Sequence, residues 1–138
     1  MKWELMTNGK IIDTSLWIDY LNNIVDNKTD EVAELIYLDE VLLLPVILQE
    51  VLQGIRNKKD FNSAKKAFIK YEYFEYNEIE MAIEAASLFR FLREKGVTIR
   101  KQNDCLIAVI CILNSIELLH NDKDFTNIAK HTSLKIYK

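Results

Sequence analysis

The sequence predicts an α/β protein of three layers, α/β/α, in which helices cover both faces of a central, mostly parallel sheet of four to five strands. Short apolar runs, such as VLLL at residues 41–44, alternate along the chain with longer amphipathic segments. This alternation is typical of the repeated strand–helix units that build a parallel sheet. The run VLLL contains no polar residue, as expected for a strand that is covered on both faces.

The length and composition of the chain favour one domain. A chain of 138 residues can bury a sizeable core, and its 3 glycines and 1 proline leave little room for linkers. We expect residues 10–138 to form this domain, with residues 1–9 as a leader that is either native or added. No apolar run reaches the roughly 18 residues that a membrane span needs. Cys105 and Cys111 lie in one apolar run, so we expect reduced core cysteines and a cytoplasmic protein.

The first strand and the first helix meet at an acid. Ile11 and Ile12 form an apolar run that stops at Asp13, and the residues that follow have the apolar spacing of a helix through residue 21. Thr14 or Ser15 is expected to cap this helix. Because open α/β sheets bind ligands at the carboxyl ends of their strands, Asp13 is a candidate site residue.

The remaining elements follow from the same patterns. Thr29 and Asn77 are expected helix caps, Pro45 suits the first position of a helix, and Gly96 is expected to end one. In chain order we predict a helix at 29–38, a strand at 41–44, a helix at 45–54, a helix within 56–70, a strand at 71–76, a helix at 77–95, a buried helix from 104, a strand at 116–119, a short helix to about 130 and a last strand at 134–137.

Five acids are predicted to converge at one edge of the sheet, since the strands of a parallel sheet end at a shared edge and the helices after them begin there. Carboxylate oxygens suit hard divalent cations such as Mg²⁺ or Mn²⁺, and such a centre can support phosphodiester hydrolysis. Each acid follows a strand or lies near the start of a helix; they are Asp13, Glu50, Asp104, Asp122 and Asp124.

Each acid also has an ordinary structural explanation. Asp122 and Asp124 can be solvated turn or cap residues. Asp104 is as readily a cap as a metal ligand, and Asn103 is an alternative cap for the same helix. Glu50 is harder to explain in this way, because it lies among apolar residues and an unpaired buried carboxylate is costly. The joint placement of the acids favours the metal centre.

Two basic segments, residues 56–70 and 90–101, have two interpretations as well. They carry six basic residues against one acid and five against one acid, respectively. They are either solvated helix faces or contacts for the phosphates of a nucleic acid, which position it without reading its sequence. The candidates for phosphate contacts are Lys58, Lys59, Arg100 and Lys101. The two histidines, at 120 and 131, have no zinc-ligand spacing with the cysteines and are expected to be structural.

Four motifs resemble a known family. IIDTSLWIDYL, PVILQEVLQGI, NDCLIAV and NDKDF occur in this order from about residue 10 onward. Together they resemble the PIN-domain family and, more closely, the VapC-type toxin ribonucleases of type II toxin–antitoxin systems. The resemblance implies a compact α/β/α fold and an endoribonuclease that depends on Mg²⁺ or Mn²⁺. It implies catalytic, metal-binding acids at Asp13, Glu50, Asp104 and Asp122, supported by Ser15, Asp124 and Asn103.

The resemblance also implies partners. Members of this family are homodimers that act on RNA and are silenced by a cognate antitoxin, whose tail packs along the early helices. The apolar residues of helices 14–21 and 30–38 are our hypothesis for that groove. One departure from the family is His120, which stands where relatives often have threonine, so the surroundings of the metal are expected to differ there.

A non-catalytic PIN-like or receiver-like signalling module is the alternative. A receiver domain also has a parallel sheet with acids at one edge. It needs an acidic pair after the first strand and a lysine after its last long strand. Here Thr14 and Ser15 follow Asp13, and no lysine stands in the required place. The sequence therefore favours the ribonuclease.

Overall fold

The computed structural model describes residues 8–138, which contain four strands and seven helices. In chain order these are β1 (Lys10–Ile12), α1 (Thr14–Leu21), α2 (Asn27–Tyr37), β2 (Val41–Leu43), α3 (Pro45–Gln53), α4 (Lys58–Phe68), β3 (Glu72–Tyr73), α5 (Glu78–Glu94), α6 (Asp104–Leu113), β4 (Leu118–Leu119) and α7 (Lys123–His131). The order of strands and helices confirms the predicted α/β class.

The four strands form one sheet in the order β3-β2-β1-β4. β1 pairs in parallel with β2, with Lys10 opposite Val41, and β2 pairs in parallel with β3, with Leu42 opposite Glu72. The predicted central parallel sheet is thus confirmed, with four strands. Because the strand order reverses at β1, the end of β1 is a topological switch point, the usual ligand-binding position of an open α/β sheet.

The described chain forms two compact units, and the first contains residues 8–74 and 119–121. Its core is built on the apolar strands, in which Ile11 and Ile12 are fully buried. An aromatic cluster adds to this core: the ring of Trp17 lies 4.8 Å from that of Phe68 and 5.9 Å from that of Tyr71, between centroids. These contacts hold α1 against the end of α4.

The second unit contains residues 75–118 and 122–138. Its central element is α6, in which seven of ten residues are buried, as its apolar sequence predicts. Burial raises the pKa of the Cys105 thiol to about 11, with a further contribution from nearby acids, and that of Cys111 to about 12. Both thiols are therefore protonated and unreactive at neutral pH, as expected for core cysteines.

Both ends of the long helix α5 follow the prediction. The side chain of Asn77 accepts the N–H of Glu80 at 2.9 Å and so caps the start of the helix. Gly96 ends it with φ of 82°. The N–H of Gly96 donates to the carbonyl of Arg93 and that of Val97 to the carbonyl of Leu92, which is the Schellman pattern.

The predicted caps of two other helices are wrong. Neither Thr14 nor Ser15 caps α1, because Asp13 occupies the N-cap position without a side-chain cap bond. In α2 the cap is Asp26, and Thr29 lies three residues into the helix. The Asp26 carboxylate accepts the N–H of Thr29, and the Thr29 hydroxyl accepts the N–H of Asp26. This reciprocal pair satisfies two helix donors, which explains the earlier start.

Asn103 occupies the predicted N-cap position of α6, with Asp104 in the first turn, but its side chain makes no cap bond. One element of the carboxyl-terminal half differs from the prediction. The predicted strand at 134–137 is only an isolated bridge between Leu118 and Ile136. Its backbone bonds run from Leu118 to the carbonyl of Lys135 and from Tyr137 to the carbonyl of Leu118. A single opposed pair is too short to count as a strand.

Residues 1–7 of the predicted leader lie outside the described residues. At its end, the Asn8 carbonyl accepts a hydrogen bond from the Lys10 side chain at 2.7 Å. The single domain over residues 10–138 stays a prediction. Among residues 8–138, no helix combines the length and apolar character required to cross a membrane.

The aromatic cluster of the first unit generates a stability prediction. Phe68 is 2% exposed and packs on Trp17. We expect Phe68→Ala to lower the free energy of unfolding by about 3–5 kcal/mol, because it leaves a cavity that the neighbours fill only in part. Tyr37→Ala is the control, since Tyr37 is 88% exposed; its effect should stay within about 0.5 kcal/mol. Equal denaturation midpoints for the two variants would contradict this role of Phe68.

Candidate active site

Asp13 is held in place by its backbone and by a neighbouring hydroxyl. It follows β1 directly, is 3% exposed, and its N–H donates to the carbonyl of Leu119 at 2.9 Å. The hydroxyl of Ser15 donates to Oδ2 of Asp13 at 2.6 Å. The first predicted acid is thus a buried carboxylate with a fixed orientation.

Glu50 is oriented by Thr14, whose place in the sequence predicts only a helix cap. Glu50 lies in α3 and is half-buried. The hydroxyl of Thr14 donates to Oε1 of Glu50 at 2.5 Å. Thr14 and Ser15, two consecutive hydroxyl residues at the start of α1, therefore each hold a different carboxylate.

Sequence reasoning missed this role of Thr14 for a physical reason. Two hydroxyl residues after an acid are an ordinary helix-start signal, and nothing local distinguishes a cap from a contact made 36 positions along the chain. One signal could have predicted this contact: Thr14 follows β1, and Glu50 lies on α3, the helix after the adjacent strand β2. Only the packing of α3 beside α1 turns that combination into a hydrogen bond.

In the second unit, three acids form a cluster. Asp104, Asp122 and Asp124 each offer a carboxylate oxygen, and these oxygens lie within 4.8 Å of one another. Asp104 begins α6 and is 4% exposed, while Asp124 lies in the first turn of α7 and is 5% exposed. Asp122 is the N-cap of α7 and accepts the N–H of Asp124 at 2.9 Å. The N-terminal ends of two helices thus supply positive potential to the cluster.

Two basic residues face these acids. The ammonium of Lys101 lies 2.7 Å from Oδ2 of Asp122, and Nε of Arg100 lies 3.8 Å from Oδ2 of Asp124. Burial by itself raises the pKa of the Asp122 carboxyl. The hydrogen bonds from Lys101 and from the N–H of Asp124, together with the nearby positive charges, outweigh burial and lower the pKa below its usual value. Asp122 is therefore ionised at neutral pH.

The cluster of the second unit fits a hard divalent cation. Ligand oxygens around Mg²⁺ lie about 2.1 Å from the ion, and hence up to about 4.2 Å apart. A spacing within 4.8 Å needs only small side-chain rotations to reach this arrangement. In addition, Oδ2 of Asp104 and Oδ2 of Asp124 are buried and accept no hydrogen bond within the part of the chain that the structure describes. Carboxylate oxygens of this kind are the ligand atoms that a hard divalent cation prefers.

The other predicted residues have these positions. Lys58 and Lys59 are exposed in the first turn of α4, in the first unit. His120 is buried, and its expected structural role stays a prediction. Asn103 is half-buried immediately before α6. Arg100 is exposed in the loop that leads to α6, so it remains accessible from solvent despite its acidic neighbour.

The structure therefore gathers the predicted residues into two groups, one in each unit. The first unit holds Asp13 and Glu50 through the hydroxyls of Ser15 and Thr14. The second unit brings Asp104, Asp122 and Asp124 together. The predicted convergence of all five acids at a single centre stays a prediction.

Comparisons with known proteins agree with these features. Residues 10–131 match the PIN domain family. A VapC ribonuclease of Mycobacterium bovis is 28% identical over 127 residues, which cover 91% of this chain and 95% of the relative. Ribonuclease VapC11 of Mycobacterium tuberculosis matches with the same identity and coverage.

A solved structure supports the fold. The crystal structure of VapBC2 from Rickettsia felis, bound to a DNA fragment from its promoter, matches with a TM-score of 0.72 and 20% identity, over 93% of this chain and 96% of the other. At this identity the likeness concerns the fold alone. Since the family match extends over residues 10–131 of 138, the chain belongs to the PIN domain family.

Proposed function

We propose that this protein is an endoribonuclease that hydrolyses RNA phosphodiester bonds with Mg²⁺ or Mn²⁺, and that it is the toxin of a toxin–antitoxin pair. The observation that carries the proposal is the buried cluster of Asp104, Asp122 and Asp124, whose oxygens lie within 4.8 Å of one another. Membership of the PIN family and the two VapC ribonuclease relatives support the same reaction. We also expect it to act in the cytoplasm.

In this proposal the acids of the second unit hold the cation, through Asp104 and Asp122 with Asp124 in support. When bound, a divalent cation supplies an activated water and neutralises the charge that develops on the phosphate. We assign Asp13 and Glu50 to the same reaction, as further ligands or as the groups that orient water. Their fixed carboxylate positions suit this task, because a hydroxyl that holds a carboxylate preserves its orientation.

Basic side chains are proposed to bind the RNA backbone. Lys58 and Lys59 are exposed on α4, and Arg100 and Lys101 are exposed before α6. Lysine and arginine bind phosphates mainly by charge, so these contacts are expected to position RNA of any sequence. Arg100 and Lys101 also form ion pairs with Asp124 and Asp122 of the cluster.

We also propose that a cognate antitoxin binds the first unit. Val32 and Leu35 of α2 are fully buried in the core, so they are not accessible to a partner as the hypothesis of a groove between α1 and α2 requires. A cleft of about 680 Å³ between α1, α3 and α4 is a better candidate, with Leu21 and Ala67 in its lining. The predicted homodimer stays a prediction, and sedimentation velocity is the measurement that decides it.

The acids can be tested together. We expect Asp13→Asn and Asp104→Asn each to lower the rate of cleavage of total RNA by at least about 100-fold, since even the outer partners of metal sites contribute 10–100-fold. If both acids serve one reaction, the double variant should lose little more than either single variant. The assay compares Mg²⁺, Mn²⁺ and EDTA and reads discrete fragments on a gel.

The matched control for these variants is Glu84→Gln, which neutralises an exposed acid of α5. Its cleavage rate should equal that of the wild type. Full activity in Asp13→Asn and Asp104→Asn would disprove the proposed acids. Cleavage that persists equally in every variant, or in EDTA, indicates a contaminating nuclease. An absence of cleavage with either metal would shift the conclusion to a non-catalytic PIN-like module.

Thr14 generates a second prediction. Thr14→Val removes the hydroxyl that holds Glu50 and conserves the shape of the side chain, whereas Thr14→Ser retains the hydroxyl. We expect Thr14→Val to lower the cleavage rate by about 10-fold, within the range known for residues that orient metal ligands. Thr14→Ser should recover most of the activity, and circular dichroism should show an unchanged fold. If Thr14→Val cleaves RNA as fast as the wild type, Thr14 does not position Glu50 for catalysis.

The antitoxin proposal is tested at the cleft. Leu21→Glu and Ala67→Glu place a charge where an apolar segment is expected to bind, and should weaken antitoxin binding at least about tenfold, which corresponds to about 1.4 kcal/mol. Ala86→Glu, on an exposed position of α5, is the control. Titration calorimetry with the antitoxin measures the affinities. Unchanged affinity in both cleft variants would exclude this cleft as the binding surface.

A further inference from the structure

A solvated lysine reaches into the acid cluster of the second unit. Lys101 and Asp122 are 21 positions apart, and the Lys101 ammonium donates to Oδ2 of Asp122 at 2.7 Å. The Lys101 side chain is 56% exposed, whereas that of Asp122 is only 9% exposed. The other carboxylate oxygen of Asp122, Oδ1, accepts the N–H of Asp124 at 2.9 Å. Both oxygens of this acid therefore already accept a hydrogen bond.

The charge of Lys101 has a clear use in the absence of a divalent cation. Three carboxylates whose oxygens lie within 4.8 Å repel one another, and two of the three acids are almost fully buried. A nearby positive charge stabilises their ionised forms. Lys101 provides that charge as a compact ammonium on a flexible stem, and Arg100 provides a second, more distant one at 3.8 Å from Asp124.

The same oxygen of Asp122 cannot readily serve Lys101 and a divalent cation together. A Mg²⁺ or Mn²⁺ ion binds a carboxylate oxygen at about 2.1 Å. An ammonium 2.7 Å from that oxygen would then lie within about 5 Å of the ion, where the two positive charges repel each other. Because the Lys101 side chain is 56% exposed and can turn into solvent, whereas Asp122 is fixed at the start of α7, Lys101 is the group that moves.

We propose that Lys101 is an internal counter-ion that a divalent cation must displace from Asp122, so that Lys101 lowers the affinity of the acid cluster for metal. This inference rests on the proposed metal-dependent function and adds a residue that sets how readily the centre is loaded. Displacement leaves the ammonium in solvent beside the cluster, where it is available to an RNA phosphate. One side chain thus connects loading of the metal with binding of the substrate.

The test is the affinity of the full chain for Mn²⁺, measured by titration calorimetry without RNA. We expect Lys101→Met to bind Mn²⁺ at least about tenfold more tightly than the wild type, within the usual range of coupling between two sites. Lys123→Met is the matched control, because it removes an exposed positive charge next to Asp122 in sequence, at a side chain that is not hydrogen-bonded to Asp122 in the structure. It should change the affinity by less than about threefold, since exposed charges are well screened.

Thermal unfolding provides a second readout. Without metal, Lys101→Met should unfold at a lower temperature than the wild type, because the repulsion between acids is then uncompensated. With saturating Mn²⁺ this difference should disappear. Lys101→Gln, which retains a hydrogen-bond donor without charge, replaces Lys101→Met if the latter does not fold, and the same gain in affinity is expected.

The outcomes separate this inference from the proposed function. Equal or weaker Mn²⁺ binding by the Lys101 variants would overturn the inference, because Lys101 would then support the metal or be indifferent to it. If the wild type binds Mn²⁺ and cleaves RNA while the Lys101 variants bind no more tightly, only the inference fails. If neither the wild type nor the variants bind Mn²⁺ and no RNA is cleaved, both fail.

Discussion

Repulsion between carboxylates held close together is the constraint on which the acid cluster of the second unit depends. In the second unit this repulsion is offset by positive potential. Asp104 is the first residue of α6 and Asp122 is the N-cap of α7, while Lys101 and Arg100 form ion pairs with acids of the cluster. The pKa of the Asp122 carboxyl is lowered as a result. Asp122 therefore remains ionised at neutral pH, which favours a divalent cation over a proton at this carboxylate.

The first unit holds its acids by hydrogen bonds from hydroxyls. Thr14 and Ser15 are consecutive, yet each contacts a different carboxylate. Their positions depend on α1, whose Trp17 packs against Phe68 in the aromatic cluster. Because α1 carries both hydroxyls, this aromatic packing helps to fix their positions. Loss of the packing is expected to lower stability and to loosen the two carboxylates that the hydroxyls hold. Placement of Asp13 at the end of a parallel strand follows the general rule for ligand sites in open α/β sheets.

In our proposal, Lys101 takes part in two steps, the loading of the metal and the binding of RNA. Its ion pair with Asp122 stabilises the acids in the absence of metal, and its exposed stem allows it to leave. The family relationship explains why acids are expected at these positions. In our proposal, Lys101 sets the balance between a cluster that is neutralised by its own lysine and one that is loaded with a cation.

The features that could be predicted from the sequence are those that depend on neighbouring residues or on hydrophobic pattern. These are the α/β class, the acid after the first strand, the buried helix that begins at Asp104, and the Schellman end of α5 at Gly96. Two contacts between distant residues depend on tertiary packing: the hydrogen bond of Thr14 to Glu50 and the ion pair of Lys101 with Asp122. The same packing leaves a single bridge where the last strand was predicted. The physical reason is that hydroxyls, lysines and short apolar runs have several local uses of similar free energy, and only the packing of other elements beside them selects one.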